Sequence, residues 1–254
     1  MKFLSYSALH HDNLLIYLPG MDGSGAFLQY QDNLKEYFEI RTFYVGNEII
    51  KDWESLITQF IEIFKQTIKR EKYQKIYLLA ESFGGCLALK LIAEYPDLFD
   101  TVILINSASS FYRRNWLNIG SYVAKIMPQL IYSGATYLLL PFLVNLDVIE
   151  LSQRFFIVDI LQTIAPQTVA NRINLLNEFS LDIDKISKFS APVLIIASAQ
   201  DNLLPSVEEG YRLKEIFPNS FLSIFNNSGH CCLVEKQVNL LETFKQFLLN
   251  FSNS

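Results

Sequence analysis

Cysteine, histidine and charge are all scarce in this chain, and each scarcity removes a class of function. The 3 cysteines among 254 residues, Cys86, Cys231 and Cys232, are odd in number and two are adjacent. No disulfide framework is therefore predicted, and reduced, intracellular thiols are the plain expectation. Only 3 histidines occur, and no cluster of His, Cys and acidic residues has metal-ligand spacing, so neither a metal site nor a cofactor is expected. Lys and Arg total 21 against 26 Asp and Glu, a net charge of −5. Binding by phosphate neutralisation needs clustered cations, so nucleic acid is set aside as a partner. A phosphate-binding loop is disfavoured too, because neither a GK[ST] ending nor GxGxxG spacing occurs. The opening residues Met1–His10 hold one lysine and no apolar core of a secretory signal, and a cytoplasmic protein is expected.

What the chain does have is apolar side chains, at 50% hydrophobic and 14% aromatic with only 19% charged, below the globular average of about 25%. Short runs rich in β-branched and aromatic residues recur at Leu14–Leu18, Glu39–Val45, Ile76–Ala80, Thr101–Ile105, Val193–Ala197 and Ser220–Phe225. Amphipathic stretches fill most of the gaps, at Trp53–Arg70, Gly85–Tyr95, Ser206–Phe217 and Glu235–Phe251. Strands alternating with helices predict a mostly parallel central sheet with helices on both faces. Continuous apolar runs such as Ile76–Leu79 and Val193–Ile196 are what parallel strands, buried on both sides, require. The whole chain, 1–254, is read as one α/β domain.

One stretch breaks the alternation. From about Ser107 to Phe189 the pattern is helical without a convincing strand, with Pro128, Pro141 and Pro166 as breakers. This is read as a helical cap inserted over the sheet. Inside it, Ile126–Leu146 carries no charged residue. A cap lining an apolar pocket is the leading reading of that run, and a cap that also contacts a membrane surface is the second. A true span is the weakest, because Gln129, Ser133, Gly134, Thr136, Asn145 and two prolines interrupt a run whose strongest block, Tyr137–Val144, is too short to cross a bilayer.

The chemistry-bearing residues come in a definite order. Ala80-Glu81-Ser82-Phe83-Gly84-Gly85 sits where a strand passes into a helix, the context in which a nucleophilic serine occupies a tight, strained elbow and needs small neighbours. Ala80 stands where a glycine is usual. Only one histidine, His230, follows Ser82, and it lies in Asn227-Ser228-Gly229-His230, just after the last predicted strand, where a general base is required. Asp201 ends the segment Val193–Asp201, a strand running into a loop, and is the candidate acid. Asp182 and Asp184 precede that strand and belong to its opposite end, and Glu81 is assigned a structural place. Two backbone donors are needed for the developing oxyanion. Phe83, the residue after the nucleophile, supplies one. Met21, in the glycine-rich loop Pro19–Gly25, is chosen for the second, with Asp22 its nearest alternative. The order nucleophile, acid, histidine, beneath an uncharged cap, predicts a Ser82–His230–Asp201 serine hydrolase cleaving esters or thioesters of apolar acyl groups, on a small-molecule or lipid substrate, through an acyl-enzyme and without metal. A silent binding module, a carbon–carbon hydrolase and a cofactor-free peroxidase use the same fold and stay open.

With these residues in place the chain resembles the α/β-hydrolase superfamily, and more narrowly the hydrolase domain of plant and cyanobacterial phytyl ester synthase and diacylglycerol acyltransferase-like proteins. The resemblance is carried by Tyr17–Gly25, Glu81–Leu89, Ala199–Pro205 and Asn227–His230, blocks that span nearly the whole chain but leave the cap unmatched. It implies a fatty-acyl donor, such as a galactolipid or an acyl thioester, with phytol or diacylglycerol as an alternative acceptor to water. Fuller members carry an acyltransferase-like region after the hydrolase domain. These 254 residues hold none, and hydrolysis is the expectation over acyl transfer.

Overall fold

The computed structural model describes residues 1–6, 11–113 and 129–252. Its strands are β1 (Lys2–Ser5), β2 (Asn13–Leu18), β3 (Glu39–Tyr44), β4 (Lys75–Glu81), β5 (Thr101–Ile105), β6 (Val193–Ser198) and β7 (Ser220–Phe225). They form a 7-stranded sheet in the order β1-β3-β2-β4-β5-β6-β7. β1 runs antiparallel to β3 and every other pairing is parallel. Six of these strands coincide with the predicted runs to within a residue at each end. β1 was not expected. It is a four-residue edge strand whose ends are exposed, so it lacks the continuous apolar signature of its buried neighbours.

Alternate side chains of each strand go to opposite faces, and the two faces have separate cores. Leu14, Ile16 and Leu18 of β2 and Ile76, Leu78 and Ala80 of β4 pack beneath α1 (Trp53–Thr67) and α2 (Phe83–Glu94). Leu15, Tyr17, Tyr77 and Leu79 pack on the other face against Leu28, Leu34 and the C-terminal helix (Leu240–Ser252). Each fully buried Leu or Phe contributes about 1.5–3 kcal/mol, so both faces are needed to hold the central strands in register. Helix α1 starts at a reciprocal cap: the Asp52 carboxylate accepts from Ser55 N–H at 2.7 Å, and Ser55 Oγ accepts from Asp52 N–H at 3.2 Å. It ends at Thr67 because Ile68 turns to extended backbone. The last helix begins at Leu240, later than the apolar pattern starts, because residues 232–234 form a tight 3-10 turn and the Gln31 side chain takes the Leu240 N–H.

Between β5 and β6 the described chain contains no strand. A 3-10 segment (Ala108–Arg113) is followed by α3 (Gln129–Leu143), α4 (Leu151–Gln162), α5 (Pro166–Asn177) and the short α6 (Ile183–Ile186). Residues 114–128 of the expected cap, with Pro128 and the first residues of the uncharged run, lie outside the described residues. Pro166 opens α5 at a position where its missing N–H costs nothing. Pro141, expected to break a helix, instead lies inside α3, two residues before its end. The insertion divides by its packing. Leu140, Leu143, Val144, Ile157 and Val158 form a separate cluster with Cys231 and Val234 beside the histidine loop. Leu175, Leu176, Ile186 and Phe189 join the main core. α7 (Ser206–Ile216) follows β6, and the C-terminal helix is α8. Among the described residues no helix is long and apolar enough to cross a membrane.

Candidate active site

The parallel strands end on one edge of the sheet, and the loops leaving β2, β4, β5, β6 and β7 converge there. β4 passes into α2 through Ser82, whose backbone is left-handed at φ 53° and ψ −113°. Holding a non-glycine residue there costs about 1–3 kcal/mol. The turn is fixed from both sides: Ser82 N–H donates to Ile105 O at 3.0 Å, and Ser82 O accepts from Gly85 and Ala108 N–H at 2.9 and 3.1 Å. Small neighbours are obligatory. A Cβ on Gly84 would stand 2.2 Å from Leu18 O, and one on Gly85 2.6 Å from Ser107 Oγ.

Three residues far apart in sequence form one hydrogen-bonded chain. His230 Nε2 lies 2.9 Å from Ser82 Oγ, and His230 Nδ1 lies 2.7 Å from Asp201 Oδ2. All three side chains are buried, Ser82 being 8% exposed and His230 4%. Asp201 is saturated with donors. Its Oδ1 accepts from Leu203 and Leu204 N–H at 2.9 Å each, and its Oδ2 accepts from Ser206 Oγ at 2.5 Å as well as from the imidazole. Burial alone would push this carboxyl up, but the neighbouring imidazole and these donors outweigh it and hold Asp201 below the usual carboxylate range. For His230 burial opposes the charged form. Asp201, through charge and hydrogen bond, and the more distant Glu81 reverse that, so the imidazole is raised above its ordinary 6.5. A histidine so placed accepts a proton from Ser82 readily and is stabilised once it has done so.

The loop after β2 comes against the elbow: a Cβ on Gly20 would meet Ser82 Cβ at 3.4 Å. Gly23 N–H donates to Gly20 O at 3.1 Å, closing a turn with Met21 and Asp22 at its centre. Such a turn leaves the N–H groups of its two central residues out of its own hydrogen bond. Phe83 is the first residue of α2, where N–H groups have no intrahelical acceptor. The Asp22 Oδ2 turns back to accept from Ser24 N–H at 2.8 Å and Gly25 N–H at 3.1 Å.

Residues that sequence reasoning passed over support this arrangement. Asn106, left-handed at φ 43°, follows β5. Its amide donates to His230 O at 2.8 Å and Ser198 Oγ at 2.9 Å and accepts from Ser198 N–H at 2.8 Å, tying the histidine and acid loops together. An asparagine directly after a strand is the one local signal, since Asn tolerates that conformation. Gly229 lets the insertion approach the histidine loop, for a Cβ there would lie 2.5 Å from Val144 Cα. Cys231 N–H donates to Leu143 O at 2.7 Å, and buried Glu235 accepts from Gly229 N–H at 2.9 Å. Glu81 is fully enclosed behind the elbow and accepts from Tyr17 OH at 2.5 Å; burial pushes it up to about 7. Asp182 caps the short α6 and Asp184 is exposed on it, away from the Asp201 hydrogen bonds. The cysteines are free and buried, and burial raises their thiols well above the usual range. Among the described residues no group of His, Cys, Asp and Glu is placed to hold a metal ion.

Comparison with known proteins gives a consistent picture. The family model described as serine aminopeptidase, S33 (Hydrolase_4) matches residues 46–237. Phytyl ester synthase 1, chloroplastic, of Arabidopsis thaliana is 27% identical over 91% of this chain. This chain spans 36% of that synthase's length and 14% of the length of phytyl ester synthase 2, with which it shares 33% identity over 38% of the chain. Among solved structures, a bromoperoxidase from Bacillus anthracis superposes with a TM-score of 0.78 at 16% identity, covering 99% of this chain and 95% of that one. An esterase from Exiguobacterium antarcticum gives 0.75 at 18% identity with the same coverage. At such identities these two likenesses speak for the fold alone.

Proposed function

The chain belongs to the Hydrolase_4 family, described as serine aminopeptidase, S33, within the α/β-hydrolases, and from that premise we propose that it hydrolyses esters or thioesters of apolar acyl groups. The observation that carries the reading is the unbroken chain Ser82 Oγ–His230–Asp201 at 2.9 and 2.7 Å, with the serine on a strained elbow. Asp201 holds a proton on Nδ1 and leaves Nε2 free to accept. His230 takes the Ser82 proton as Oγ attacks the acyl carbonyl, and the Met21 and Phe83 N–H groups receive the developing oxyanion. His230 then passes its proton to the leaving alcohol or thiol, which departs and leaves an acyl-serine. Water, deprotonated by the same imidazole, attacks this ester, and the acid leaves as Ser82 recovers its proton.

Apolar acyl groups are favoured because the histidine loop is covered by Leu140, Leu143, Val144 and Ile157. The outer side of the same insertion exposes Leu138 at 74%, Leu151 at 66% and Phe155 at 53%. We read this face as the one that meets a lipid surface. Acyl transfer to an alcohol is the second reading, favoured by the identity to a protein named phytyl ester synthase. Incubation of acyl thioester with and without phytol or diacylglycerol separates them: free acid alone supports hydrolysis, and an acceptor-dependent ester supports transfer. Replacement of Ser82 by alanine is expected to lower turnover of p-nitrophenyl esters by about three orders of magnitude or more. Retained activity in that variant overturns the reading.

A further inference from the structure

Arg172 is a guanidinium at 0% exposure, the largest fully buried side chain of the described residues. Removing such a charge from water costs several kcal/mol, so its contacts need a reason. They are not with a paired carboxylate. Nη1 donates to Met21 O and Nη2 to Gly46 O, while Nε has no hydrogen-bond partner. The two carbonyls belong to the loops after β2 and β3, which are also joined by Val45 and Gly46 N–H donating to Gly23 O at 2.9 and 3.1 Å. Gly23, at φ 63°, clears the space: a Cβ there would stand 2.8 Å from both Nη atoms. The guanidinium also lies 5.9 Å from the centre of the Phe83 ring. Burial pushes Arg172 down to about 10 while the Asp22 carboxylate favours its charge, so it remains a cation at neutral pH.

We propose that Arg172 is a positioning residue for the oxyanion donors, an inference that rests on the hydrolase reading above. An amide is planar, so fixing a carbonyl fixes the N–H on the other side of the same bond. The Gly20–Met21 amide is held by Gly23 N–H donating to Gly20 O at 3.1 Å. The Met21–Asp22 amide is held by Arg172 through Met21 O. Together these two bonds lock the backbone on both sides of Met21, whichever of the Met21 and Asp22 N–H groups faces the substrate oxygen. The same side chain lies beside Phe83, the other donor. Arg172 comes from α5, within the insertion, and α5 is itself pinned to the β3–α1 connection. Asn171 exchanges two hydrogen bonds of 2.8 Å with Ile50, and Trp53 Nε1 donates to Leu175 O at 2.8 Å. The insertion thereby sets the geometry in which an oxyanion is received, and Arg172 does so without touching substrate.

The test compares the full chain with Arg172→Met and Arg172→Lys, using steady-state hydrolysis of a soluble p-nitrophenyl ester, inhibition by an arylboronic acid that forms a tetrahedral adduct on serine, and thermal unfolding. A positioning role predicts that Arg172→Met lowers kcat about 10- to 100-fold, less than the about 100- to 1,000-fold that outright loss of an oxyanion donor costs. KM should stay within about twofold, and boronate affinity should fall in step with kcat. Lysine reaches one carbonyl rather than two and should restore part of kcat. A folded Arg172→Met protein with wild-type kcat, or one that loses only KM, overturns the proposal. Should the methionine variant not fold, Arg172→Lys decides alone: reduced kcat at unchanged KM with weaker boronate binding supports the role, and wild-type values on both overturn it. A wild-type protein that neither turns over ester nor binds boronate refutes the hydrolase reading, and the proposal falls with it. An active wild type with unaffected variants refutes Arg172 alone.

Discussion

Replacing Glu81 by glutamine should make the protein more stable at alkaline pH while leaving it little changed in acid. Glu81 is 2% exposed at the end of β4 and accepts from Tyr17 OH at 2.5 Å. Burial, reinforced by Asp22, raises it from 4.5 to about 7, although the Tyr17 hydrogen bond and His230 pull the other way. In the unfolded chain the carboxyl ionises near 4.5, so between 4.5 and about 7 the folded state holds a proton that the unfolded state has released. Stability therefore falls as pH rises through that window and is flat above it. The interval corresponds to about 3 kcal/mol in total, of which about 2.5 kcal/mol lies between pH 5 and pH 8. Glutamine accepts from Tyr17 and does not titrate. Urea denaturation followed by tryptophan fluorescence should show the stability difference between Glu81→Gln and wild type growing by about 2.5 kcal/mol from pH 5 to pH 8. Because Glu81 helps to raise His230, the acid limb of kcat/KM should also move to lower pH in the variant. Parallel stability curves across pH 5–8 would refute the reasoning and show that Glu81 ionises normally where it lies.

Other substitutions test other links. Asp201→Asn should lower kcat by about four orders of magnitude at little change in KM, because the amide favours the wrong imidazole tautomer; steady-state kinetics with a p-nitrophenyl ester read this out. Gly84→Ala forces a Cβ to 2.2 Å from Leu18 O, and should cost about 3 kcal/mol or more, seen as a large fall in Tm or loss of soluble protein. Leu138→Glu combined with Leu151→Glu should abolish flotation with phosphatidylcholine vesicles while leaving hydrolysis of a soluble short-chain ester unchanged. Unaltered flotation, or no flotation of the wild type, would show that this face does not meet lipid.

The elements most legible in the sequence were those whose environment imposes a repeating pattern. β4, β5 and β6 are buried on both sides and read as apolar runs, so their limits came within a residue of those observed. β1 is short and lies at the sheet edge, paired only with β3, and leaves no such trace. Pro141 illustrates a local rule overridden: inside α3 it removes a helix hydrogen bond and crowds the carbonyl one turn back, and the burial of its neighbours Leu140, Leu143 and Val144 beside the histidine loop offsets that cost. For the candidate site, the order Ser82, Asp201, His230 was readable because the fold orders those positions along the chain. The residues that hold them were not. Asn106 meets Ser198 and His230 across 92 and 124 residues, and Arg172 meets Met21 across 151. Such contacts have no local signature in sequence, since each depends on two loops being brought together by the sheet. Glu81 was assigned a structural place, and its partner Tyr17, which faces Leu79 and so lies diagonal to Glu81 on the same face of the sheet, becomes visible only once the strands are in register.

The proposed chemistry requires Ser82 to be an activated nucleophile. Treating the purified protein with a fluorophosphonate probe and mapping the adduct by mass spectrometry tests it most directly, with Ser82→Ala as the control. One adduct is expected, on Ser82, absent from the variant and forming more slowly as His230 is protonated at falling pH. No adduct on a folded wild-type protein, or labelling that persists in Ser82→Ala, would contradict it.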